Sequence, residues 1–167
     1  MKKIGVALVG CGRISDLHVL GYRDRSDAQI VALCDAKEAR AKQKAREWGV
    51  SKIYKDYAEL LKDPEIDLVE LLVPHHLHCP MTVQAAKAGK HISVQKPMCL
   101  SASEADDMIS TAKKAGVILR VYENFVHYEP AVKAKEMLDA GEIGKPVMLR
   151  MHINTGYSPQ GWKIPLD

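Results

Sequence analysis

The stretch from Ile4 to Asp35 constrains the fold more than any other part of the chain. Ile4, Val6, Ala7, Leu8 and Val9 make a short apolar run that reads as a wholly buried strand. It breaks at Gly10-Cys11-Gly12-Arg13-Ile14-Ser15; a helix-like stretch then continues to about Arg23, and a second apolar run, Ile30 to Cys34, stops at Asp35. Strand, Gly-x-Gly turn, helix, strand and acid is the order that a dinucleotide site requires. Gly10 permits the tight turn, and Gly12 has no side chain to keep the backbone away from a pyrophosphate. The helix start over Arg13 and Ile14 offers N–H groups and a positive dipole end to that anion. Asp35, 23 residues after Gly12, can accept hydrogen bonds from the adenosine ribose hydroxyls. The third glycine of the pattern is replaced by Ser15, a small residue that still lets helix and strand approach. A Gly-x-Gly pair also occurs in ordinary turns, so the flanking strands and the acid carry the weight.

The same alternation continues. Ala36 to Trp48 has helical periodicity and ends at Gly49; Lys52 to Tyr54 is a third strand; Asp56 caps a small helix through Leu61, which Asp63-Pro64 ends. Asp67 to Val73 is a fourth strand broken by Pro74, Cys79 to Ala88 a helix closed by Gly89, and His91 to Val94 a fifth strand broken by Gln95-Lys96-Pro97. Ser101 with Glu104 forms a capping box for a helix to Ala115, and Val117 to Val121 is a sixth strand. Short apolar strands alternating with helices predict an α/β fold, a doubly wound parallel sheet of the Rossmann kind, over residues 1–122. Residues 123–167 follow another pattern: a helix from Pro130 to Ala140, then an alternating run from Lys145 to Ile153 that suits an antiparallel strand. One helix and one strand make no core, so this segment is expected to begin a second α+β domain. If the chain stopped there, the strand edge would be open to self-association.

Net charge excludes one class of partner. At +3, spread evenly, it argues for no nucleic acid; the densest basic stretch, Lys37 to Arg46, is interrupted by Glu38 and reads as a solvated helix face. No apolar run approaches the ~20 residues that cross a bilayer, and Met1-Lys2-Lys3 leads into a strand, so no membrane partner and a cytoplasmic location are expected. Cys11, Cys34, Cys79 and Cys99 stand far apart, which fits reduced thiols better than a zinc ribbon or a disulfide framework.

In an open parallel sheet, ligands sit outside the carboxyl ends of the strands. Three segments lie there: Pro74-His75-His76-Leu77-His78, Gln95-Lys96-Pro97 and Glu123-Asn124-Phe125. The histidines have no carboxylate beside them and suit the opening of a helix better than a metal site, so no metal is expected. His78, at the helix start, faces the nicotinamide end of the bound dinucleotide on this reading. Lys96, between a strand end and Pro97, reads either as a solvent-exposed turn lysine or as a group that hydrogen-bonds a substrate hydroxyl and eases its deprotonation.

Taken together, Gly10-Cys11-Gly12-Arg13-Ile14, Asp35, Pro74 with His78, Ala88-Gly89-Lys90-His91, Gln95-Lys96-Pro97 and Gly141-Glu142-Ile143-Gly144 resemble the Gfo/Idh/MocA family, the glucose-fructose oxidoreductase and inositol dehydrogenase relatives, from about Ile4 to Arg150. The resemblance implies NAD(P)-dependent hydride transfer between nicotinamide and a carbinol of a sugar, cyclitol or related polyol. It places Lys96 at the substrate hydroxyl as the catalytic residue, and it sets Pro74, His78, Gln95 and Asn124 around the nicotinamide. Asp35 favours NAD, while Lys37 leaves NADP open. The family's Glu-Lys-Pro signature is Gln95-Lys96-Pro97 here, which keeps an acceptor but removes a charge. The family's later Asp-x-x-x-His pair is absent; Glu123 and His127 share the spacing but fall at the domain junction. The chain thus resembles the amino-terminal, cofactor-binding half of such an enzyme, without turnover by itself and homo-oligomeric in full-length form. The rival reading is a non-catalytic NAD(H)-binding module.

Overall fold

A computed structural model describes residues 3–123, 125–150 and 152. The chain divides into two units, 1–123 and 124–167. In the first, β1 (Ile4–Val9), β2 (Ala28–Cys34), β3 (Lys52–Tyr54), β4 (Leu68–Leu71), β5 (His91–Gln95) and β6 (Leu119–Tyr122) form one sheet in the order β3-β2-β1-β4-β5-β6. Every pairing is parallel. β1 is central and its neighbours diverge to β2 on one side and β4 on the other, so the strand order reverses beside it. That reversal is where a doubly wound sheet opens a crevice.

Both faces are covered, as near-continuous apolar strands require. Along β1, Val6 and Leu8 face a cluster with Leu33 and with Ala41 and Ala45 of α2 (Glu38–Trp48). Ala7 and Val9 face the opposite cluster, which holds Leu60 and Leu61 of α3 (Tyr57–Leu61), Ala85 and Ala86 of α4 (His78–Lys87) and Met108 of α5 (Ala102–Ala115). The two-residue alternation of a strand thereby feeds two cores from one element. Caps set the helix starts: the Asp56 carboxylate accepts from the Ala58 and Glu59 N–H groups, and Ser101 Oγ accepts from Glu104 N–H. Glu104 turns back onto the N–H of Leu100, one residue before the expected partner of a capping box.

Several boundaries differ from expectation for identifiable reasons. The helix after the glycine turn is a single turn, α1 (Ser15–His18), which tightens into a 3-10 segment, Val19–Tyr22; Gly21 is a poor helix former. β4 ends at Leu71 because the Val73 carbonyl is turned to the His78 ring instead of a strand. β6 starts at Leu119 because the Val117 N–H closes the end of α5 on Ala112 O, and that of Ile118 donates to His91 Nδ1.

In the second unit, a 3-10 turn, Phe125–His127, precedes α6 (Glu129–Asp139), which has Pro130 in its first turn. The strand expected over Lys145 to Ile153 does not form over 145–150, where Val147, Met148 and Leu149 are almost fully exposed. Residues 151 and 153 lie outside the described residues. Alternation prepares a strand but a ladder needs a hydrogen-bonding neighbour, and no described residue supplies one.

Candidate functional site

The turn after β1 is built by contacts that only its own sequence allows. Gly10 N–H donates to Cys34 O at 2.8 Å, and its φ is +98°. A Cβ at that position would sit 2.3 Å from the Leu72 carbonyl oxygen, so the turn needs glycine both for its dihedral and for the closeness of β4. Cys11 is buried and donates its N–H to Asp35 Oδ2 at 2.9 Å. Lys37 N–H donates to Asp35 Oδ1 at 2.8 Å, and Arg40 Nη1 stands 3.7 Å from Oδ2. The acid that ends β2 therefore holds the turn that ends β1. Ser15 is fully buried, as the third position of the pattern requires, and its hydroxyl donates to Gly12 O.

These residues fit a dinucleotide by two observations. A Cβ on Gly12 would meet no atom of the chain within 4 Å, so the protein's own packing does not ask for glycine there, whereas a pyrophosphate would fill that space. The backbone N–H groups of Arg13 and Ile14 form no hydrogen bond among the described residues, which leaves two donors of the turn free for an anion. Asp35 accepts one backbone bond on each oxygen; a carboxylate has about four lone-pair sites, so both oxygens can also accept a ribose hydroxyl. The two thiols nearby are held neutral: burial first, then the Asp35 charge, pushes Cys11 and Cys34 up to about 12.

At the ends of β4 and β5, Pro74 is exposed and begins a 3-10 turn, His75–Leu77. His78 is fully buried, with Nδ1 2.8 Å from Pro97 O and Nε2 3.0 Å from Val73 O. It ties the loop after β4 to the loop after β5. His75 and His76 are exposed, and no group of three or more His, Cys, Asp or Glu side chains able to hold a metal occurs among the described residues. Lys96 is exposed, and its peptide bond to Pro97 is cis. Asn124 lies outside the described residues.

Gln95 joins a network that reading the strands in isolation missed. Its Oε1 accepts from Lys96 N–H at 2.8 Å, and its Nε2 lies 2.9 Å from His18 Nε2. His18 Nδ1 is 2.6 Å from Glu70 Oε1, and the Tyr22 hydroxyl donates to Glu70 Oε2 at 2.7 Å. Burial, together with the Glu70 charge, pushes the Tyr22 phenol upward, so it stays a donor. Glu70 was the available signal: a carboxylate inside Leu68-Val69-Glu70-Leu71 has to find partners when the strand is buried.

A doubly wound sheet whose Gly-x-Gly turn is held by the acid of the next strand defines a nucleotide-binding Rossmann domain. The family model described as an oxidoreductase family with an NAD-binding Rossmann fold matches residues 4–123, and the chain belongs to that family, Gfo/Idh/MocA. It is 34% identical over 158 residues to a D-apiose dehydrogenase from Paraburkholderia graminis, covering 94% of this chain and 42% of that protein. It is 36% identical over 146 residues to a myo-inositol 2-dehydrogenase from Thermotoga maritima, covering 87% and 44%. Among solved structures, an oxidoreductase from Agrobacterium radiobacter in complex with NAD+, L-tartaric acid and magnesium aligns with a TM-score of 0.82 and 31% identity, over 87% of this chain and 42% of that one. The chain thus spans less than half the length of these relatives.

Proposed function

We propose that this chain is the cofactor-binding portion of an NAD(P)-dependent dehydrogenase acting on a carbinol of a sugar, cyclitol or related polyol. The observation that carries the reading is the Cys11–Asp35 hydrogen bond, which locks the glycine turn to the ribose-binding acid while Gly12 leaves the space beside it open. The relatives that act on apiose and inositol support the substrate class. The nicotinamide supplies the hydride acceptor or donor. The chain's part is to hold the pyrophosphate on Gly10 to Ile14 and the adenosine ribose on Asp35. Pro74 and Gln95 border the nicotinamide, and His78 holds together the two loops that do so. Lys96 hydrogen-bonds the substrate hydroxyl and lowers the cost of moving its proton. NAD is preferred, because a 2′-phosphate would meet the Asp35 carboxylate; the Arg40 guanidinium, 3.7 Å from that carboxylate, moderates the repulsion. A second domain would hold the polyol and the proton-transferring partner, and the full-length protein would be a homo-oligomer.

The test is a titration with NADH and NADPH, followed by nicotinamide fluorescence, on the native chain and on Gly12→Val and Asp35→Ala. NADH is expected to saturate and to bind more tightly than NADPH. Gly12→Val is expected to keep the thermal midpoint, since a Cβ there meets no atom of the chain within 4 Å, yet to weaken NADH roughly 10-fold or more by occupying the pyrophosphate space. Asp35→Ala narrows the preference between the two nucleotides. Equal affinity in Gly12→Val, or no binding of either nucleotide to the native chain, would overturn the reading.

A further inference from the structure

Four side chains from separate elements meet beneath Lys96 in an arrangement whose hydrogen-bond polarity runs in one direction. A backbone N–H can only donate, so the Gln95 atom facing Lys96 N–H, at 2.8 Å, is the amide oxygen. The other end of that amide is then an NH2 group, which also can only donate. It faces His18 Nε2 at 2.9 Å, and that nitrogen has to accept, which leaves it without a proton. The imidazole proton is accordingly on Nδ1, 2.6 Å from Glu70 Oε1, where a carboxylate accepts it. Tyr22 donates to the remaining oxygen, Glu70 Oε2. The Tyr122 ring lies against the imidazole at 4.7 Å between centroids. His18 and Glu70 are buried, so water does not offer either nitrogen an alternative partner.

We infer that Gln95 is a positioning residue: its amide sets the Nδ1–H tautomer of His18 and, through that ring, moors the backbone that carries Lys96 to Glu70 in the middle of the sheet. The inference rests on the function proposed above, because mooring Lys96 matters to catalysis only where Lys96 meets substrate. The amide at 95 offers His18 a donor and Glu70 offers it an acceptor, so the ring needs a proton on one nitrogen only. A carboxylate at 95 would still accept from Lys96 N–H but would have no hydrogen to give His18. Facing an acceptor on each side, the ring would have to carry protons on both nitrogens.

The experiment is long-range proton–nitrogen NMR of the imidazole rings in the nitrogen-15-labelled chain at pH 7 without nucleotide, with the His18 signals assigned by their loss in His18→Gln. The native chain is expected to show His18 with a protonated, pyrrole-like Nδ1 and a bare, pyridine-like Nε2. Gln95→Glu is expected to turn both nitrogens pyrrole-like while leaving Lys96 N–H protected from solvent exchange. Gln95→Leu removes the acceptor and is expected to raise exchange at Lys96 N–H at least 10-fold, so Gln95→Glu rescues the mooring but not the tautomer. A native His18 protonated on Nε2, or on both nitrogens, overturns the inference and needs no variant to fold. So does a Gln95→Glu chain that keeps the native ring pattern. Because no nucleotide is added, failure of NADH to bind would strike the proposed function and leave this result standing.

Discussion

Gly10 shows how much one missing atom decides. Its carbonyl-crowded position and positive φ are independent demands, and an alanine would violate both: the new Cβ would press on the Leu72 oxygen at 2.3 Å. Gly10→Ala should therefore destabilise the chain by about 3 kcal/mol or prevent folding, read from urea denaturation. Gly12, two residues on, is the opposite case, a glycine that the protein does not need for itself. Comparing the two variants separates a glycine kept for the fold from one kept for a ligand. Both positions were legible in the sequence as parts of the turn, but only the distance to β4 distinguishes their reasons.

Among elements, single side chains join strand ends that backbone ladders leave apart. Asp35 joins β2 to the turn after β1, and His78 joins the loops after β4 and β5. At the opposite edge, Asp63 accepts from Lys52 Nζ and the Tyr54 hydroxyl of β3 on one oxygen, and from Glu65 N–H on the other. The Lys52 hydrogen bond first, then the Glu65 N–H and the Tyr54 hydroxyl, hold the Asp63 carboxyl at about 2, below its ordinary 3.8. The folded-state value is the depressed one, so this stabilisation is fully present above about pH 4 and is lost as pH falls toward 2. Thermal midpoints recorded from pH 5 down to 2 should fall more steeply in the native chain than in Asp63→Asn, which has no carboxylate to protonate. Ser101 and Asp56 as caps were plain from spacing alone, because a cap answers to its own helix and to nothing distant.

At the scale of the molecule, the first unit buries Cys11 and Cys34 on opposite faces of the sheet, while Cys79 and Cys99 are half-buried; all four are free thiols. Since the buried pair stays protonated until about 12, neither offers a thiolate at ordinary pH. Iodoacetamide at pH 8 should leave Cys11 and Cys34 unmodified in the folded chain and label them once urea unfolds it, as mass spectrometry of the peptides would show. Modification of Cys11 under native conditions would mean that the glycine turn opens. No helix among the described residues is long and apolar enough to cross a membrane, and the two packed faces of the sheet explain where the apolar residues go instead.

The sequence by itself determined the order of the six strands and of the helices between them from Ile4 to Tyr122, the glycine turn and the acid that serves it. Each of these depends on neighbours in the chain: an alternating or continuous apolar run, a cap three residues away, a proline that ends a strand. Tertiary structure alone decided the rest. The Glu70–His18 contact spans 52 residues and the His18–Gln95 contact 77, so neither partner announces the other along the chain. His78 sat at the expected helix start, yet its burial and its two carbonyl partners depend on loops brought together by the parallel order of β4 and β5. The run from Lys145 onward had the alternation of a strand and formed none over 145–150, because pattern prepares one face of a sheet and only a neighbouring backbone completes it.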